Sequence, residues 1–176
     1  FVPNISFGHW SLAAINRSTD IFLDVHLMVY NPYEYIEKFV EAGADQITIH
    51  FEATEDVEET LKYIKKCNVK AGLAFNPETS VSMVPKYLDK CDLILFMTVH
   101  PGKGGQPFMP DVLEKVQLAR EWLDKLKLPT LIEVDGGINL ETAKLSKKAG
   151  ADILVSGTHL FHSNDMAHAI EELRKI

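Results

Sequence analysis

The stretch Thr130-Leu131-Ile132-Glu133-Val134-Asp135-Gly136-Gly137-Ile138-Asn139 concentrates more usable chemistry than any other in the chain. An apolar, β-branched run ends in a carboxylate, and two glycines follow. The run has the composition of a buried parallel strand. Paired glycines let a backbone turn sharply and approach a ligand closely. The N–H groups of such a turn, and of the helix opened by Glu141 and Thr142, can hold an anion. Asp135 would then stand at a strand end beside a phosphate cradle. A strand capped by an ordinary turn acid is the plainer reading of this stretch taken alone.

Other strand ends carry similar groups. Asp24 and His26 have period-two spacing and so share one side of a strand. His50 and Asn76 end or follow two further strands, Val99-His100-Pro101-Gly102-Lys103-Gly104-Gly105-Gln106 follows another, and Ser156-Gly157-Thr158 the last. In parallel α/β sheets and barrels, ligands sit at the C-terminal ends of strands. Three glycine turns in the last three such loops therefore point to a phosphate-binding end. Lys103 could add charge there, although a solvated loop lysine needs no function. His26 and Asp135 are the best metal-ligand candidates, because imidazole and carboxylate suit zinc, iron or manganese. A lone strand histidine is more often a hydrogen-bonded core residue. Met28 and Met97 lie near the same ends, where core filling explains them on its own. His159 and His162 read as surface residues.

These groups need elements to position them. Helices are expected over 10–16, from Asn31-Pro32 onward, and over 57–67, 81–88, 110–126, 141–149 and 166–175. Strands are expected over 21–28, 46–50, 70–75, 93–99, 131–135 and 153–156. Strand and helix alternate with short links, the pattern of βα units around a parallel sheet. Gly43-Ala44-Asp45 and Gly150-Ala151-Asp152 repeat one another at helix ends, a structural echo with no chemistry implied. No linker or low-complexity segment divides residues 1–176, so one domain is expected.

With 176 residues, the chain can bury a sizeable core. Hydrophobic residues at 46% and charged residues at 24% fit a soluble globular protein. A net charge of −7 argues against nucleic-acid and anionic-membrane partners. No apolar run approaches the ~20 residues of a membrane span. Cys67 and Cys91 lack metal-ligand spacing and read as buried or partly buried free thiols in a reducing compartment, by default the cytosol.

Taken together, the strand ends resemble those of the ribulose-phosphate 3-epimerase family. The matching segments are Phe1-Val2-Pro3-Asn4, Leu23-Asp24-Val25-His26-Leu27-Met28, Gly43-Ala44-Asp45, Asn76-Pro77, Met97 to Gln106, Glu133 to Gly137, and Ser156-Gly157-Thr158. They keep the family's order across the whole chain. The resemblance implies a (β/α)8 TIM barrel of the ribulose-phosphate-binding type that interconverts D-ribulose 5-phosphate and D-xylulose 5-phosphate. It implies two aspartates on opposite faces of C3 and a divalent metal ion held by two histidines and those aspartates. Carried over by motif, His26 is a metal ligand, and Asp135 is both a ligand and one acid/base. Gly102, Lys103, Gly104, Gly105, Gly136, Gly137, Gly157 and Thr158 would contact the sugar phosphate, with Met28 and Met97 lining the pocket. In the family, the second aspartate and histidine precede the Phe-Val-Pro-Asn motif, so the first two strands are expected to be absent from this chain. Lys103 stands where the family usually has an aromatic residue. Thr158-His159-Leu160-Phe161 also resembles the D-allulose-6-phosphate 3-epimerases, and a catalytically incomplete phosphate-binding fragment is a further alternative. A homo-oligomer is expected.

Overall fold

The structure, a computed structural model, describes residues 1–2 and 7–176. The second half of the Phe1-Val2-Pro3-Asn4 motif therefore lies outside the described residues. Among those described, six parallel strands lie side by side in chain order. They are β1 (Asp24–Leu27), β2 (Gln46–His50), β3 (Lys70–Phe75), β4 (Leu93–Met97), β5 (Leu131–Asp135) and β6 (Ile153–Val155). Helices α1 (His9–Asn16), α2 (Ile36–Glu41), α3 (Val57–Lys66), α4 (Val112–Leu126), α5 (Leu140–Ala149), α6 (Thr158–Phe161) and α7 (Met166–Arg174) alternate with them. The result is a curled half-barrel of βα units. None of the described helices is long and apolar enough to cross a membrane.

Period-two alternation builds two cores from these strands. Outward residues such as Ile47, Ile49, Leu73, Phe75, Ile94, Phe96, Ile132 and Val134 pack under the helices. Inward residues Ala74, Leu93, Leu95 and Met97 form a second cluster inside the curl, with Met28 and Ile153 against it. Burial on both faces explains why β2 and β4 read as continuous buried runs. Asp24, His26, Glu133 and Asp135 have the inward parity, and the sheet curls enough that His26 of β1 meets Asp135 of β5.

The Gly-Ala-Asp echo has a structural explanation. Asp45 Oδ2 accepts a 2.7 Å hydrogen bond from Leu23 N, just before β1. Asp152 Oδ2 accepts one of 2.8 Å from Ile132 N in β5. Asp92, on a link without the glycine, does the same for Ala71 N of β3 at 2.8 Å. Every second strand is thus held at its start by the carboxylate that precedes its neighbour.

Some elements differ from expectation. The helix expected over 81–88 is a 3-10 turn, Val81–Lys86, with Pro85 inside it. Proline lacks the N–H that an α-helix would use there. The strand expected over 93–99 ends at Met97. Beyond it, Thr98 N still bonds Asp135 O at 2.8 Å, but Thr98 O accepts from Met109 N at 2.9 Å, which leads the chain away. The strand expected over 21–28 is confined to Asp24–Leu27. The short helix α6 was not expected at all.

Candidate active site

The C-terminal ends of the strands open onto a cavity of about 1110 Å³. The residues carried over to the site by motif line this cavity: His26 in β1 and Met28 just after it, Met97 at the end of β4, Asp135 at the end of β5, and Gly136 and Gly137 beyond it. Asp24, His50, Asn76 and Ser156, also noted at strand ends, are not among its described lining residues. Gly102, Lys103, Gly104 and Gly105 border it from the loop after β4, and Gly157 and Thr158 from the loop after β6.

At its floor, His26 Nδ1 lies 3.5 Å from Asp135 Oδ2, with side-chain exposures of 16% and 24%. An imidazole nitrogen and a carboxylate oxygen that converge on one point suit two positions around a divalent ion. Among the described residues, no cluster of three or more His, Cys, Asp or Glu forms a fuller site. Behind His26 stands His50, whose Nε2 is 2.8 Å from His26 Nε2. His50 is wholly buried, and its Nδ1 reaches Glu52 Oε2 at 3.3 Å. Burial lowers the His50 pKa, against the opposing pull of Glu52. Burial alone would raise the Glu52 carboxyl. Hydrogen bonds from His50, the Thr79 hydroxyl and Asn76 N outweigh it and hold that carboxyl below its usual range.

A second acid lies deeper. Glu133 is 2% exposed, and burial first, then the neighbouring Asp24 carboxylate, pushes its pKa up to about 9. Its Oε2 has no hydrogen-bond partner among the described residues. Sequence reading gave no role to His50, Glu52 or Glu133. The parity of Glu133 with Asp135 was a usable signal, since both must face the same way. His50 had only its place at a strand end.

The rim is built from backbone turns. Gly136 (φ +125°) and Gly137 (φ +65°) occupy conformations that side chains rarely adopt. A Cβ at Gly137 would come 2.9 Å from the Phe108 backbone, so a side chain is excluded by space as well. The Thr98 hydroxyl donates to Gly136 O at 2.6 Å and fixes the turn against β4. Gln106 Nε2 donates to His100 O and Lys103 O, both at 2.7 Å, and closes the loop after β4 on itself. The first turn of α5 does not add to the cradle as the sequence suggested. Asn139 Oδ1 accepts from Glu141 N and Thr142 N, so those amides are already satisfied. His159 is also not the surface residue expected. It is half-buried, lines the cavity and keeps Nε2 buried without a hydrogen-bond partner among the described residues. His162 is exposed. Cys67 and Cys91 are free thiols. Burial pushes the Cys91 pKa up to about 12, which makes it inert as a nucleophile.

A family model described as the ribulose-phosphate 3 epimerase family matches residues 1–161. The chain belongs to that family. A ribulose-phosphate 3-epimerase of Chlamydia pneumoniae is 54% identical over 169 residues, which cover 95% of this chain and 74% of that protein. One from Bacillus subtilis is 45% identical, over 99% of this chain and 81% of that one. Family membership fits the order of the strand-end motifs along the chain. Among solved structures, a 3-hexulose-6-phosphate synthase superposes with a TM-score of 0.74 at 19% identity, covering 96% of this chain and 80% of that one. A 3-keto-L-gulonate-6-phosphate decarboxylase from Vibrio cholerae superposes with a TM-score of 0.72 at 14% identity, over 96% and 78%. At such identities the likeness bears on the fold alone.

Proposed function

We propose that this chain is a sugar-phosphate 3-epimerase that interconverts D-ribulose 5-phosphate and D-xylulose 5-phosphate. The observation that carries this reading is the meeting of Asp135 and His26 at 3.5 Å, at the floor of a cavity rimmed by glycine turns. Asp135 is the base that removes the C3 proton on one face, and the acid that returns it in the reverse direction. Geometry comes before acidity for such a group, and its place at the cavity floor puts it within reach of a bound ketose. Backbone N–H groups of Gly105, Gly137 and Gly157 hold the phosphate, and Lys103 adds charge at the rim. Met28 and Met97 give the reacting carbons an apolar wall.

His26 and Asp135 would hold a divalent ion, zinc, iron or manganese, which when bound stabilises the enediolate oxygens. Inversion at C3 needs a second acid on the opposite face, because a single carboxylate tends to return the proton where it came from. In the eight-stranded form of this barrel, two more strands would lie between β6 and β1, and the second aspartate and histidine would come from them. The order of the sheet supports this, since β1 and β6 are its outer strands among the described residues.

The named relatives are all ribulose-phosphate 3-epimerases, which favours the pentulose over D-allulose 6-phosphate. Turnover of both sugars with added Mn²⁺, compared as kcat/KM, tests the assignment. A preference for the pentulose is expected, and no turnover of either sugar would reduce the chain to a phosphate-binding fragment. Inorganic phosphate should also raise the melting temperature more than sodium chloride of equal ionic strength. No difference between the two salts would count against the glycine cradle.

A further inference from the structure

We propose that His50 and Glu52 are positioning residues that fix the tautomer of His26, so that its Nδ1 lone pair faces the cation position beside Asp135. This inference rests on the metal-assisted reading above and extends it to two residues outside the ligand pair.

The order of protons follows from the contacts. Glu52 Oε1 already accepts from Asn76 N at 2.9 Å and from the Thr79 hydroxyl. Its other oxygen, Oε2, faces His50 Nδ1 at 3.3 Å. A carboxylate held this way accepts, so the His50 proton sits on Nδ1. His50 is wholly buried and Phe1 packs on it at 4.5 Å between ring centroids, an environment that favours the neutral imidazole. Its Nε2 is then a lone pair. His26 Nε2 lies 2.8 Å from that lone pair, a hydrogen-bond length, and two lone pairs would repel there. The His26 proton is therefore on Nε2.

A neutral imidazole has one ring N–H. With that proton spent on His50, His26 Nδ1 is bare, and it is the nitrogen that faces Asp135 Oδ2. Their separation of 3.5 Å exceeds the normal N–H···O range of about 2.7–3.2 Å. Two acceptors that face each other without a shared proton are arranged for a cation. Carboxylate, imidazole and imidazole thus form a line that delivers a lone pair to one point. A metal-bound histidine ordinarily donates its other N–H to a partner that fixes its tautomer. Here that partner is a second histidine, itself fixed by Glu52.

Nitrogen-15 NMR of the histidine rings in metal-free protein, at mildly alkaline pH, reads the tautomers directly. The expected pattern is a protonated Nε2 on His26 and a protonated Nδ1 on His50. A His26 proton on Nδ1 would overturn the proposal. His50→Phe removes the acceptor and should let His26 populate both tautomers. Its Mn²⁺ affinity, measured by competition with a fluorescent chelator, should fall roughly ten-fold or more. His50→Gln, whose amide oxygen can still accept from His26, should retain more of that affinity. Glu52→Gln, able to donate to His50 as well as accept, should give mixed tautomers at His26. Unchanged Mn²⁺ affinity in folded His50→Phe protein would overturn the relay. If His50→Phe fails to fold, the wild-type ring pattern decides alone. The expected tautomers in a protein without affinity for Mn²⁺ would support the relay and overturn the metal-assisted function.

Discussion

Asp135 and Glu133 stand two residues apart on one strand and face the same way, yet their surroundings divide their work. Asp135 reaches the cavity at 24% side-chain exposure, while Glu133 is 2% exposed beneath it. Asp135→Asn keeps size and hydrogen bonding but cannot take up the C3 proton, and it is a poorer ligand for a divalent ion. It should abolish epimerisation with circular dichroism unchanged, and the loss should fall mainly on kcat. Near-normal turnover in that variant would remove Asp135 from the mechanism. Deuterium exchange at C3 of one epimer, followed by NMR, would reveal whether an acid on the other face still works alone. Glu133 makes a different prediction. In the folded chain it keeps its proton up to about 9, whereas an unfolded glutamate loses its proton near 4.5. Between those values the folded state holds the extra proton, so stability falls as pH rises through the window. Glu133→Gln should flatten that decline and raise the melting temperature at pH 8, measured without added metal. An unchanged pH profile would show that Glu133 does not carry the buried proton. At this scale the sequence pointed to Asp135 and His26, because Asp135 ends β5 and His26 stands one residue before the end of β1, each in a distinctive neighbourhood, and the fold brings the two together. It concealed His50, because a histidine at a strand end reads the same whether it touches another histidine or only core. That contact depends on how far β1 and β2 are staggered.

The elements show where local pattern suffices and where it does not. Alternation of apolar runs with helical stretches located all six strands, since buried parallel strands write themselves as β-branched runs. Their ends were less legible. Met97 ends β4 because Thr98 divides its backbone bonds between β5 and Met109, a long-range event with no local signature. Pro85 could have warned against an α-helix over 81–88, since its ring removes a donor in the interior. The aspartates at 45, 92 and 152 fix strand starts, and an acid after a helix end is too common a feature to announce that role. Asp92→Ala should lower stability by about 1–2 kcal/mol in urea unfolding, chiefly through the lost bond to Ala71 N, with the half-exposed ion pair to Lys65 lost as well. A change within a few tenths of a kcal/mol would mean that β3 is held in place by its neighbours alone.

On the scale of the molecule, β1 and β6 are the outer strands of the sheet among the described residues, and apolar side chains are exposed close by in sequence. Trp10 is 79% exposed and Phe22 53% on the β1 side, and Phe161 is 78% exposed just after β6. Unpaired strand edges beside such groups favour self-association. Sedimentation velocity should show a species larger than 19.8 kDa that grows with protein concentration. A strictly monomeric boundary would mean that these edges are covered within the chain. The parallel order was readable from the alternation, but the curl was not, because strand twist and stagger leave no mark on composition; the family resemblance alone suggested it. That curl has a consequence for the pair at the cavity floor. His26 belongs to β1 and Asp135 to β5, with β2, β3 and β4 between them along the sheet. Their 3.5 Å gap is the chord of an arc that five strands trace. An ion seated on that chord, as proposed, would be a clasp as well as a reagent. It would tie the ends of the arc together, so that flattening any strand between them would strain the clasp, and a substitution in β3, which supplies no ligand, would be felt as a change in how tightly the ion is held.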